Sequence, residues 1–252
     1  MHTRLQFTPK KIAFWLIAIV AFLLLANLVS VYFKFVLGRD YGFTRTFYFN
    51  TEANIPSFYS SLSILISAVL LFFIGNLKIE EDKWQGRCWK LLGYIFVFLA
   101  ADEFISIHEA LTGMTRRLTG DGGGYLNYAW VIPYVLLFGI IFIFLVRFFF
   151  KLPTFLKFQF TVAGVVFLTG AVIMEVFGGR YAFLHGTTGL TYALFVTGEE
   201  LLEMLGIIFF IFSLSKYYIN QLASHRLKLS IEVSADVPVF KVAERKVPEF
   251  LR

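Results

Sequence analysis

From Ile12 to Phe33 the chain runs for 22 residues without a charged side chain. About 20 apolar residues in a helix cross the hydrocarbon core of a bilayer, and comparable runs recur along the rest of the sequence. A backbone placed in lipid must satisfy its own hydrogen bonds, which leaves helices as the form such runs can take. The runs predict spans at about 12–33, 57–76, 91–111, 128–150, 155–177 and 190–214. The expected fold is therefore all-α: a polytopic membrane protein with a six-helix transmembrane domain over 12–214, an N-tail at 1–11 and a C-terminal tail at 215–252. Composition agrees, with 58% hydrophobic residues, 16% charged and 32 Phe among 252 residues. The first run exceeds the usual 7–15-residue core of a signal peptide and lacks a small-residue cleavage site. Cys88 is the single cysteine, so no internal disulfide forms. There is no Asn-x-Ser/Thr acceptor and no internal repeat.

Charge sets the expected orientation. Six of the 23 Lys and Arg (Lys34, Arg39, Arg45, Arg116, Arg117 and Arg180) fall in alternate connections, and the other 17 fall in the tails and remaining connections. By the positive-inside rule both termini are cytoplasmic. The +6 balance thus reports topology and anionic lipid, and argues against a nucleic-acid partner. The expected location is the plasma membrane of a bacterium, its inner membrane.

The connections carry their own signals. Lys34 to Pro56 is rich in aromatics and is expected along the interface, as are Trp84 and Trp89 at the start of the third span. Ser60, Ser61, Ser63 and Ser67 read as helix-packing residues of the second span. The glycines around Asp121 fit no phosphate-loop spacing and read as a flexible connection. In the C-terminal tail the alternation of Leu227, Leu229, Ile231 and Val233 allows a small hairpin.

Ionisable side chains are costly inside a membrane and mark sites. The third span holds Asp102, Glu103, His108 and Glu109; the fifth ends near Glu175; the sixth carries Glu199, Glu200 and Glu203. With the N-terminus inside, the three helices place these acids in or near the outer half. At 100° per residue, Asp102, Ser106 and Glu109 share one stripe at about 0°, 40° and 340°. Glu199, Glu203 and Glu200 lie at about 0°, 40° and 100° on the sixth helix, and Thr161, Gly164 and Glu175 form a weaker stripe on the fifth.

Seven carboxylates in a low-dielectric interior require protons or cations to balance them. One reading is a divalent metal site of zinc, iron or manganese in a membrane-embedded hydrolase-type enzyme acting on a lipid or lipid-linked substrate. Asp102, His108, Glu109, Glu199 and Glu203 would then be ligands, with Glu103 or Glu200 as general base. Neither the Glu-x-x-His pair of dimetal bundles nor the zinc-protease helix motif is present. A second reading uses the same acids for proton or cation transport, with a homo-oligomer supplying further helices. A third is structural, with acids wetted at the interface or paired with Arg180 and the loop arginines; His185 and Arg180 are the basic groups of the last outer connection.

The pairs Asp102-Glu103 and His108-Glu109, preceded by Glu52-Ala-Asn-Ile-Pro56 and followed by Glu199-Glu200-Leu-Leu-Glu203-Met204, resemble uncharacterised bacterial multi-pass membrane proteins. The resemblance covers the six-helix core, implies no activity, and adds Glu52 to the candidate site. Phe104-Ile-Ser-Ile-His108 and Glu199-Glu200 also resemble parts of the intramembrane glutamate proteases of prenyl-protein processing. Met204 stands where that family has Arg and the two parts come in reverse order, so no role carries over.

Overall fold

The computed structural model describes residues 8–39, 41–120 and 122–236, with side chains described as far as 224. Every regular element among them is helical. In chain order these are α1 (Pro9–Phe35), α2 (Gly42–Phe47), α3 (Ile55–Glu81), α4 (Lys83–Ile105) and α5 (Ile107–Thr119). A 3-10 turn at Gly122–Gly124 precedes α6 (Val131–Lys151) and α7 (Thr154–Leu168). A π-helical segment (Thr169–Met174) joins α7 to α8 (Glu175–His185), and α9 (Leu190–Asp236) follows. Four helical stretches are long and apolar enough to cross a membrane: α1, α3, α6 and the continuous α7–α8. The bent pair α4–α5 makes a fifth.

Local chemistry explains the starts. Thr8 caps α1 by accepting from the Lys11 amide, with Pro9 in the first turn, where its missing donor is harmless. Asn54 and Ser57 form a reciprocal capping box at α3, so the apolar run starts abruptly at Ile55. Between α3 and α4 a single residue, Asp82, ends one helix and caps the next, which folds the two into a tight antiparallel hairpin. The backbone amide of Gln85, then its side chain and the Trp84 amide, hold the Asp82 carboxyl below its ordinary 3.8. A folded-state value below the unfolded one stabilises at higher pH and is lost as pH falls through the folded value. The thermal midpoint in detergent is therefore expected to drop as pH falls below about 4 more steeply in the wild type than in Asp82→Asn, whose amide still caps.

The helices pack around α9, which touches α1, α3, α7, the π segment and α8. Near the α3–α4 corner the core is apolar and aromatic: Leu71, Ile74, Trp89, Phe148, Leu156, Leu214 and Tyr217. Trp89 is fully buried, with its ring 5.5 Å from Tyr217 and 5.1 Å from Phe148. The interfacial assignment thus fails for Trp89, because Phe148, Phe160 and Tyr217 enclose it. It suits Trp84, which is exposed and meets the Lys151 ammonium at 4.8 Å. Exposed large hydrophobics such as Ile140, Ile143 and Phe144 on α6 cover the outer faces.

Three expectations change. The connection 34–56 contains α2 and folds inward, burying Tyr48 and Phe49. Asn27 holds it there by accepting from the Phe49 amide at 3.0 Å and donating to Thr197 Oγ1 at 2.9 Å. The alternating residues 227–233 form no strand; α9 continues through them to Asp236. The third span is not one straight helix to 111 but breaks at Ser106, where α4 and α5 meet at 83°. The tails at 1–7 and 237–252 lie outside the described residues.

Candidate functional site: an interhelical acid cluster at the α4–α5 break

Asp102 organises the break. It is 6% exposed, and its Oδ1 accepts from the His108 backbone amide at 2.8 Å. Its Oδ2 lies 3.3 Å from His108 Nδ1. One carboxylate therefore caps the first turn of α5 and orients the imidazole. The Tyr134 hydroxyl, buried, approaches the same carboxylate without completing a hydrogen bond. Ser106 takes the left-handed conformation (φ 51°, ψ 48°) that turns the chain, at a cost of about 1–2 kcal/mol for a residue with a Cβ. Ala53 is the other non-glycine residue with positive φ (54°) among the described residues. Its neighbour Glu52 accepts a 2.8 Å hydrogen bond from Ser106 Oγ. One strained position thus contacts the residue beside the other, and such strain collects at functional sites.

Trp130, at the start of α6, links the two halves of the cluster. Its ring lies 5.0 Å from His108, and its Nε1 donates to Glu175 Oε1 at 2.9 Å. Glu175 is also within hydrogen-bonding reach of Glu199 on α9. Glu103 on α4 is an electrostatic neighbour of Glu200 and Glu203. Glu52 feels Glu103 as well, and Glu109 on α5 senses both Glu52 and Glu175. The seven predicted acids and Glu52 therefore act on one another electrostatically. Within this set the one ion pair among the described residues is Asp102–His108.

The close approach that brings α8 and α9 together depends on glycine. A Cβ on Gly170, inside the π segment, would lie 2.6 Å from the Glu199 carbonyl and 2.9 Å from Glu203 Cγ. Below this contact, Ser60, Ser63 and Glu203 contribute the polar lining of a hollow of about 10 Å³, with Ile64, Phe167, Met204 and Ile207 as its apolar wall. That is room for about one water centre. The buried Ser60 hydroxyl has no other partner. Ser60 lies five residues into α3, about 8 Å below its start.

Several site expectations need correction. The Asp102, Ser106 and Glu109 stripe assumed one continuous helix. With the break at Ser106, Asp102 is buried while Glu109 is exposed on α5. The Thr161, Gly164 and Glu175 stripe fails in phase, because π-helical turns take an extra residue each and shift the face by about 100°. Thr161 is exposed, yet Glu175 reaches the cluster. Arg180 lies over the Tyr125 ring at 5.1 Å, and His185 stacks on Tyr181 at 4.5 Å. Of the four serines, Ser61 bridges helices as expected, donating to the Ala100 carbonyl at 2.7 Å. Among the described residues no three His, Cys, Asp or Glu side chains are grouped to hold a metal ion.

Residues 15–217 match a family model described as Domain of unknown function (DUF8692). The chain belongs to that family. The matched region takes in every residue of the acid cluster from Glu52 to Glu203. No match is found among curated proteins or among solved structures.

Asn27, Trp130 and Tyr134 make contacts that the sequence does not single out, and Ser60, expected only to pack helices, lines the hollow. Asn27 carried a signal, being the one amide inside the first apolar run. The other three sit where aromatics and small hydroxyls are ordinary, and only their partners distinguish them.

Proposed function

We propose that this DUF8692 member is a six-pass membrane protein, both termini inside, whose half-buried acids bind and release protons or a monovalent cation in a transport or coupling role. The spans in this reading are α1, α3, α4, α6, α7–α8 and α9, and the expected location is a bacterial inner membrane. The supporting observation is the approach of the Glu175 carboxyl to that of Glu199, which also has Glu200 and Glu203 as acid neighbours. An ionised carboxylate only accepts hydrogen bonds, so such a contact needs a proton or a cation between the groups. The shared proton is the exchangeable species, and the hollow beside Glu203 and Ser60 has room for one water to relay it.

A second reading, the metal-dependent membrane enzyme, draws on the Asp102–His108 pair. A carboxylate on Nδ1 leaves Nε2 to face a metal, and Glu103 or Glu200 would act as base. Against it, both Asp102 oxygens are engaged by His108. The test is metal analysis together with carboxyl infrared titration of protein in liposomes. Carboxyl bands that shift with pH or sodium, and are lost in Glu199→Gln, support exchange. Stoichiometric zinc, iron or manganese, lost in Glu203→Gln, supports the enzyme and overturns the exchange reading. A lipid or lipid-linked substrate belongs to the enzyme reading, and a homo-oligomer to the exchange reading.

A further inference from the structure

We propose that α5 is a surface helix lying in the membrane–water interface, held by the headgroups of anionic lipid, and roofing the acid cluster. This rests on the multi-pass membrane placement above but not on proton exchange. Three span ends meet at the level of the break. α3 starts at Ile55 and α4 ends at Ile105, tied by the Glu52–Ser106 hydrogen bond. α6 starts at Val131, with Trp130 against His108. The chain then turns by 83°, so a span that follows the membrane normal hands over to a helix lying nearly in the plane.

α5 has three faces. At 100° per residue, Ile107, Leu111, Met114 and Leu118 fall at about 0°, 40°, 340° and 20°. Thr115, His108 and Thr112 fall at about 80°, 100° and 140°, and Arg116, Glu109 and Arg117 at about 180°, 200° and 280°. The second face is the half-buried one turned to the protein; His108 reaches Asp102 from it. On the first, Ile107 and Leu111 are half-buried, while Met114 is 65% and Leu118 83% exposed. The third carries the two arginines, both exposed. A helix with a narrow apolar stripe and a basic flank matches an acyl layer below and phosphate groups beside it. Lipid also continues the exposed apolar surface of Phe104 and Ile105, one turn earlier on α4. A lipid phosphate held by Arg116 or Arg117 would sit over the side of the cluster formed by His108 and Glu109.

The test places single spin labels, by cysteine substitution at 114, 116, 118 and 143 in a Cys88→Ser background, in phosphatidylcholine vesicles with and without phosphatidylglycerol. Labels at 114 and 118 should relax with dissolved oxygen, and the label at 116 with a water-soluble nickel complex. Ile143, mid-way along α6 and 70% exposed, reports on the membrane reading itself. A water-accessible label at 143 removes that reading and this proposal with it. A lipid-facing label at 143 with 114 and 118 in water, or with 114, 116 and 118 all in lipid, overturns the interfacial helix alone. In Arg116→Gln/Arg117→Gln the preference for spin-labelled phosphatidylglycerol over phosphatidylcholine should fall about fivefold per arginine. An unchanged preference overturns the headgroup contact.

Discussion

Gly170→Leu is expected to lower the stability of the bundle by about 2–3 kcal/mol, the upper range for overpacking a closed contact. The new Cβ alone would approach the Glu199 carbonyl to 2.6 Å and the Glu203 amide nitrogen to 3.1 Å. Those are backbone atoms of the central helix, so the strain is relieved only by moving α7–α8 away from α9. For a chain of this size the loss corresponds to a fall of about 5–10 °C in thermal midpoint, measured in detergent. Gly139→Leu is the control: it is exposed on α6 with nothing within 4 Å, and should leave the midpoint within about 0.5 kcal/mol of the wild type. Because Glu175 follows the π segment directly, Gly170→Leu should also part Glu175 from Glu199 and abolish the carboxyl band of that pair. Equal midpoints for the two variants would mean that α7–α8 does not press on α9 as described.

Asp102→Ala is expected to cost about 3 kcal/mol, since it strands the His108 amide and its ring nitrogen in a half-buried site, each at about 1–3 kcal/mol. Asp102→Asn separates the two roles. Its amide oxygen still accepts from the His108 backbone, so the start of α5 survives, while the charge beside the imidazole is gone. Thermal unfolding should therefore rank wild type above Asn and Asn above Ala. Amide exchange at 107–110 should accelerate strongly in the alanine variant alone. If both variants accelerate exchange equally, the carboxylate charge rather than the cap holds the break.

The break shows where sequence reasoning stops. Asp102 and His108 were both visible as costly groups in an apolar run, and both belong to the cluster. Their geometry is not legible there, because a stripe at 100° per residue holds only along a continuous helix. Serine at 106 carries no breaking signal of its own; its left-handed conformation is held by Glu52 from 54 residues away and by Asp102 acting as a cap. Glu175 is the mirror case. The extrapolated stripe had the wrong phase, since the π segment has no sequence signature, yet the residue arrived at the cluster. Trp89 was assigned to the interface by its position next to lysines, but packing against Tyr217 and Phe148 from distant helices buries it.

What the amino-acid sequence decided by itself is the helical class, the apolar stretches and the set of acids. These follow from local quantities: run length, the cost of a charge in lipid, and caps such as Asn54 and Asp82 that act over three residues. What only tertiary structure decided is which acids meet, where the third helix turns and which hydroxyls are left without partners. Those outcomes depend on contacts between residues far apart in the chain, such as Glu52 with Ser106, Trp130 with Glu175 and Gly170 with Glu199. No local pattern encodes the distance between two helices.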